Sequence, residues 1–324
     1  MKKIIIISGP TASGKTNASI QLALYIKNNF QKKIAIVNFD SLLFYKEISI
    51  GSAKPTAEEK KDIEHHLIDI ASINSPLNAA DFILLAQKKI EELFSQNKIV
   101  ILVGGSGFYL RSLLKGMYEA PSIDPEILAK SEQIYQEKGI EYFINFLKIN
   151  DPESLTNLHQ NDHYRLRRAV LYFESTGQKI SDQKKFYDDQ LPYDFHENVY
   201  NWKILHFYLE VPKPFHQKII EDRTKKMFHD GLVAEIETLR SNGFSLQEKP
   251  LASIGYKEAI DLLNGLYGSQ EECIERIIIS TRQLAKSQRT FFKKMVPKIT
   301  INPLNELDKI FLYCSDWVDD KLDQ

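Results

Sequence analysis

The sequence predicts an α/β fold, a parallel sheet flanked by helices and interrupted by a helical insertion domain. Three observations carry this. Short apolar, β-branched runs alternate with helix-length stretches of 3.6-residue periodicity. Three of those runs end in glycine, a hydroxyl or a carboxylate, the places where ligands sit in such sheets. Between residues 118 and 201, helical patterns continue with no buried strand among them, which predicts an insertion in the α/β core.

The four isoleucines at 4–7, bounded by Gly9 and Pro10, read as a buried strand. Residues 14–29 read as a helix opening on a glycine turn. A second strand, 34–39, ends at Asp40 and Ser41. Residues 79–96 have helical spacing, with Phe82, Leu85, Ile90 and Leu93 as the core stripe. A third strand, 99–103, ends at Gly104 and Gly105. Runs this apolar suit strands covered on both faces. Asp124, Asp151–Pro152 and Thr176–Gly177 punctuate the insertion. A further strand at 204–211 stops at Pro212, and residues 215–296 are mostly helical. After Asn305 come six acidic residues against two lysines, the pattern of a solvated terminus. The expected division is a core of residues 1–117 and 202–324, with the insertion at 118–201.

Composition narrows the class. A 43% hydrophobic content suffices for a core. The 42 basic and 43 acidic residues leave a net charge of −1, so only local clustering can point to a polyanion. Cys273 and Cys314 lie far from any partner at metal spacing, which argues against a disulfide framework or zinc finger. No run is long and apolar enough for a signal segment or a membrane span. A soluble, cytoplasmic protein is expected, and nothing in the sequence asks for more than a monomer.

Gly9-Pro-Thr-Ala-Ser-Gly-Lys15-Thr16 fits the pattern G-x-x-x-x-G-K-[ST] between a strand and a helix. The sheet is therefore expected to be P-loop NTPase-like. In this motif the backbone of Gly9, Thr11, Ala12, Ser13 and Gly14 wraps an anion at a helix N-terminus. Lys15 sets a charge on the terminal phosphates, and the Thr16 hydroxyl suits magnesium (Mg2+). These residues specify a di- or triphosphate and leave the rest of the ligand open. Asp40 has three roles open to it: a Walker-B-like magnesium ligand, a catalytic base facing the phosphates, or a helix N-cap. The 99–103 strand, the other place for a Walker B acid, ends in glycine, which weighs against an ordinary NTP hydrolase.

His65 and His66 are adjacent and have no third ligand spaced nearby, so a structural role is favoured over metal. Residues 276–298 hold seven basic side chains and no acidic one. Arg282, Lys286, Arg289 and Lys293 recur at spacings of 4, 3 and 4, one stripe of a helix beside an apolar face of Ile277, Leu284, Phe291 and Met295. An unmixed stripe in a neutral protein favours a polyanion. A second cluster, Arg165, Arg167 and Arg168, sits in the insertion near Tyr164 and Tyr172, which could stack on bases or fill a core.

The chain resembles the tRNA dimethylallyltransferases. The resemblance rests on GPTASGKT, on Asp40-Ser41 followed by Tyr45, and on Gly51-Ser-Ala-Lys-Pro-Thr56. It continues through His65-His-Leu-Ile-Asp69, Gly104-Gly-Ser-Gly-Phe-Tyr109, Asn161-Asp162 with Arg165 and Arg168, Ile254-Gly-Tyr-Lys-Glu258, and Thr281-Arg282 through Phe292. These stretches run in order from residue 9 to about 292. Leu43 and Leu128 stand where the family usually has Gln and Arg.

The resemblance implies transfer of a dimethylallyl group from dimethylallyl diphosphate to the exocyclic amine of the adenine just 3′ of the anticodon, in tRNAs reading codons that begin with U. It implies Asp40 as the base, Ser106 as a hydrogen-bonding partner at the same site, and Arg223 as a clamp on the diphosphate. It implies tRNA contacts from Asp40, Ser41, Leu42, Leu43, Ser106, Asp162, Arg165 and Arg168, to which the basic stripe adds Arg282, Lys286 and Arg289. The anticodon stem-loop is expected between the core and the insertion. Two rival readings are a small-molecule kinase and an RNA-binding protein that has lost catalysis. The missing Walker B acid and the basic stripe oppose the first, and the intact P-loop with Asp40 opposes the second.

Overall fold

The isoleucines at 4–7 dictate the architecture. Successive strand residues point to opposite faces, and all four are fully buried, so this strand must be covered on both sides. A computed structural model, which describes residues 2–117 and 123–318, places it as β1 (Lys3–Ser8) inside a six-stranded sheet. The other strands are β2 (Ile34–Asn38), β3 (Glu64–His66), β4 (Ile99–Gly104), β5 (Lys203–Leu209) and β6 (Ile299–Ile301). Their order is β3-β2-β4-β1-β5-β6, and every pairing is parallel. All strands therefore end at one edge, where the site forms.

Contacts divide the chain into two compact units, Met1–Gly116 with Tyr193–Gln324, and Met117–Pro192. In the first, Ile5 and Ile7 meet Leu22, Ala23 and Ile26 of α1 (Lys15–Phe30). Ile4 and Ile6 share the opposite core with α3 (Ala79–Ser95) and α4 (Gly107–Lys115), which follow the single-turn α2 (Ala57–Lys60). In α3 the buried stripe is Ala79, Phe82, Ala86, Ile90 and Leu93. Leu85, expected in that stripe, is exposed, because the small Ala86 takes the inward position.

The second unit is helical: α5 (Pro125–Asn150), α6 (Pro152–Asn157), α7 (His163–Thr176) and α8 (Ile180–Asp188). Its core is Phe143, Ile144 and Leu147 of α5 against Leu166, Ala169 and Val170 of α7. Asp124 and Asp151 cap α5 and α6, and Gly177 ends α7 in the left-handed conformation. The buried Asp151 carboxylate also accepts from the Ser181 amide and hydroxyl, tying α6 to α8. The expected start of the insertion at Tyr118 lies outside the described residues. Residues 193–201, expected within it, pack with the first unit instead. Phe195 is buried there, Asp194 pairs with Val296, and the Val199 amide donates to Leu114 O at 2.9 Å.

The chain continues through α9 (Lys213–His229), α10 (Leu232–Ser241), α11 (Tyr256–Leu263), α12 (Gln270–Lys293) and α13 (Leu307–Val318). The tail expected to be a solvated terminus is α13 as far as Val318. Its Ile310, Cys314 and Trp317 are buried beside α1, while its charges face outward. Residues 319–324 lie outside the described residues. The edge strands β3 and β6 carry no apolar run, having three residues each, and β3 is Glu-His-His.

Candidate active site

The site is built on the carboxyl ends of β1, β2 and β4. After β1 the chain turns through the P-loop, where Gly14 adopts a left-handed φ of 81° that favours glycine. The helix it opens, α1, has no side-chain cap and no acid in its first turn. Its first amides are therefore left for an anion, with the helix dipole behind them. A cavity of about 360 Å³ lies over this turn, lined by residues 11–16 together with Asp40, Leu43, Gly104 and Arg223.

Charges converge on the cavity. Lys15 Nζ donates to Pro10 O at 2.8 Å. Burial pulls its ammonium down to about 8, the Asp40 carboxylate opposes that fall, and Arg223 adds to it. Burial likewise lowers the Arg223 guanidinium, with Asp40 working against it. Arg223 reaches from α9 to Thr11 Oγ1 at 3.5 Å. A diphosphate would give both cations the counter-charge they lack.

One oxygen of Asp40 takes the N-cap role, one of the three that the sequence left open. Oδ1 accepts from the Leu42 amide at 3.3 Å, capping the short 3-10 turn that follows. Oδ2 lies on the side of the Gly104–Gly105 loop, 3.4 Å from where a Cβ on Gly105 would stand. Asn38, buried at the end of β2, holds the Asp40 backbone by accepting from its amide at 2.8 Å and donating to its carbonyl at 2.9 Å. Ser106 Oγ accepts from the Ser41 amide at 3.2 Å. The aspartate and the two serines thus form one cluster at the ends of β2 and β4. Leu43 lines the cavity, while Leu42 packs on the core.

Two expected binding residues have other partners. The Thr11 amide, expected to face an anion, donates to Gln288 Oε1 at 2.8 Å. Arg289, expected in the RNA-facing stripe, turns inward. It donates to His216 Nδ1 at 2.5 Å and to Val211 O at 3.4 Å. His216 is then neutral with its proton on Nε2, which donates to Thr11 O at 2.8 Å. Arg282, Lys286 and Lys293 are exposed along α12. The buried face of α12 is Cys273, Ile277, Ile278, Ala285 and Phe292, and Leu284, expected in it, is exposed.

In the helical unit, Asp162 caps α7 and pairs with the exposed Arg165 at 2.8 Å. Arg168 is half-buried. Arg167 is bound to Glu132 at 2.6 Å and lies over the Tyr135 ring, so it braces α7 on α5. Tyr172 is buried and Tyr164 exposed, which leaves only Tyr164 free to stack on a base.

Among the described residues no cluster of His, Cys, Asp or Glu could hold a metal. His65 Nδ1 lies 2.8 Å from Ile63 O, and His66 Nε2 lies 3.3 Å from Glu64 Oε2. A donor set of one threonine hydroxyl, Thr16, fits magnesium carried largely by phosphate oxygens and water. Sequence reasoning missed Asn38, His216 and Gln288. The signal for Gln288 was a polar residue in register with Ala285 and Phe292 on a buried helical face.

A family model described as IPP transferase matches residues 43–295. The chain belongs to this family. Relatives agree along the length. The tRNA dimethylallyltransferase 1 of Trichlorobacter lovleyi is 37% identical over 90% of both chains. The tRNA dimethylallyltransferase of Chlamydia caviae is 33% identical over 90% of this chain and 82% of its own. Among solved structures, the tRNA isopentenylpyrophosphate transferase of Bacillus halodurans superposes with a TM-score of 0.69 at 27% identity, covering 100% of this chain and 97% of that one. A eukaryotic dimethylallyltransferase acting on tRNA superposes with a TM-score of 0.76 at 25% identity, covering 99% and 80%. The parallel sheet with its P-loop after β1 is the P-loop NTPase-like fold of these IPP transferases. The family model opens at Leu43, while the superposition on the Bacillus halodurans structure covers the P-loop and Asp40 as well.

Proposed function

We propose that this protein is a tRNA dimethylallyltransferase, moving a dimethylallyl group from its diphosphate to the exocyclic amine of the adenine 3′-adjacent to the anticodon in tRNAs reading codons that begin with U. The observation that carries the reading is the pairing of a phosphate cradle with a carboxylate and two serine hydroxyls at one sheet edge, in a chain of the IPP transferase family.

An adenine amine is a weak nucleophile, so the leaving group and the proton both need help. Lys15, Arg223 and the α1 amides hold the diphosphate. The amine nitrogen bonds to the allylic carbon, the carbon–oxygen bond breaks, and its electron pair leaves with the diphosphate. Asp40 Oδ2 takes the amine proton. Ser106 and Ser41 hydrogen-bond beside it, with Leu42 and Leu43 at the base. The Thr16 hydroxyl would hold magnesium together with phosphate oxygens, and the ion would supply further neutralisation of the leaving group. The adenine must leave its stack to reach Asp40.

Arg282 and Lys286 of α12 and Asp162, Arg165 and Arg168 of the helical unit are the residues we assign to tRNA. No helix of the described residues is long and apolar enough to cross a membrane, and the reading is of a monomer acting in the cytoplasm. The test is incubation of tRNA with dimethylallyl diphosphate and magnesium, followed by nucleoside analysis. The expected product is adenosine heavier by one prenyl unit at the position 3′ of the anticodon. Unmodified tRNA with donor and metal in excess would defeat the proposal.

A further inference from the structure

Gln288 bridges the two glycine loops of the site. Its Oε1 accepts from the Thr11 amide in the P-loop at 2.8 Å, and its Nε2 donates to Gly105 O at 3.0 Å. A carboxamide offers an acceptor and a donor on one planar group, so these two partners fix its orientation. The loops it joins carry different parts of the chemistry. The P-loop carries Lys15, and the Gly105 loop carries Ser106 and lies against Asp40. A methyl group built on Gly105 would stand 2.8 Å from Gln288 Nε2, 3.4 Å from Asp40 Oδ2 and 3.5 Å from Lys15 Nζ. Three functional side chains therefore crowd one point, and glycine is the residue that leaves room for them.

The P-loop end of the bridge is held from a second direction. Thr11 O accepts from His216 on α9, which is itself fixed by Arg289, the neighbour of Gln288 on α12. Thr11 is thus gripped through both its backbone N–H and its backbone C=O by side chains outside the phosphate motif.

We infer that Gln288 is a positioning residue that sets the spacing between the phosphate cradle and the Asp40–Ser106 cluster, so that leaving group and base address one reacting centre. This rests on the transfer reaction proposed above. A loop error of about 1 Å is enough to cost on the order of 10²-fold in rate while leaving the binding contacts in place.

Two variants separate the two ends of the bridge. Gln288→Glu keeps an acceptor for Thr11 and loses the donor to Gly105. Gln288→Met keeps the length and loses both. In substrate-free hydrogen exchange, the methionine variant should loosen residues 11–14 and 104–107 together, and the glutamate variant only 104–107. With tRNA and dimethylallyl diphosphate, both should lower kcat by roughly 10–100-fold. Inorganic diphosphate affinity and the melting temperature should stay near the wild-type values. Unchanged exchange in both loops, or wild-type kcat in Gln288→Met, would overturn the inference. So would a parallel loss of diphosphate affinity and melting temperature, which would make Gln288 a fold or phosphate residue. If the wild-type protein prenylates nothing, the proposed function fails, while the exchange contrast still decides the bridge.

Discussion

Replacing Lys15 by methionine should produce a protein that is more stable without ligand and inactive with it. Burial has moved the Lys15 ammonium from 10.5 to about 8. At about 1.4 kcal/mol per pH unit, the charged form costs the empty fold about 3 kcal/mol at neutral pH. The sign follows from proton binding. Between 8 and 10.5 the unfolded chain holds a proton that the folded chain has released, so the Lys15 contribution to stability rises with pH in that window. Below 8 the penalty is present in full. Methionine removes it, keeps most of the side-chain volume, and leaves Pro10 O without its 2.8 Å donor, a loss of about 1 kcal/mol. The net gain is about 2 kcal/mol, or roughly 4 °C in melting temperature for a chain of this size. The assay is a thermal melt at pH 7 with and without inorganic diphosphate. Diphosphate should raise the wild-type midpoint and leave that of the variant in place. A variant that melts below wild type would refute the desolvated-lysine reasoning. One that still responds fully to diphosphate would refute Lys15 as the phosphate ligand.

Asp40→Asn should lower kcat by ~10²–10⁴-fold with both substrates still bound, because Asn keeps an oxygen for the Leu42 amide but cannot take the proton. Rate measured against magnesium checks this, and recovery at high magnesium would make Asp40 a metal ligand instead. Reversing Arg282 and Lys286 to Glu should weaken tRNA binding and flatten its log–log salt dependence by about 0.7–0.9 for each phosphate that is no longer neutralised, with diphosphate binding unaffected. Arg289 is left in place in that variant because it holds His216; an unchanged salt slope would move RNA binding off α12. Trp317→Ala should cost about 3–5 kcal/mol in urea unfolding, since Trp317 is buried against the sheet beside α1. A solvated tail would show no change.

How much was legible follows from where the information resides. The strands at 4–7, 34–38, 99–103 and 204–209 announced themselves because burial on both faces forces uninterrupted apolar runs. The P-loop did so because a phosphate cradle needs glycine, lysine and a hydroxyl at fixed spacing. β3 and β6 did not, since a three-residue edge strand is held by backbone bonds to its neighbour and needs no apolar run. The acidic tail misled because net charge does not reveal which side of an amphipathic helix faces the core, and Ile310, Cys314 and Trp317 settle that only in three dimensions. The basic stripe on α12 is visible in the sequence as a spacing, yet a spacing of 4, 3 and 4 does not say which of its members points inward. Arg289 does, because α9 brings His216 to it, and Gln288 beside it reaches two loops that lie 277 and 183 residues away in the chain. Sequence alone determined the P-loop motif, which is local. The meeting of the P-loop, Asp40 and Gln288 was decided only by tertiary structure, because it depends on parallel strands ending together and on helices from the far end of the chain folding back onto that edge.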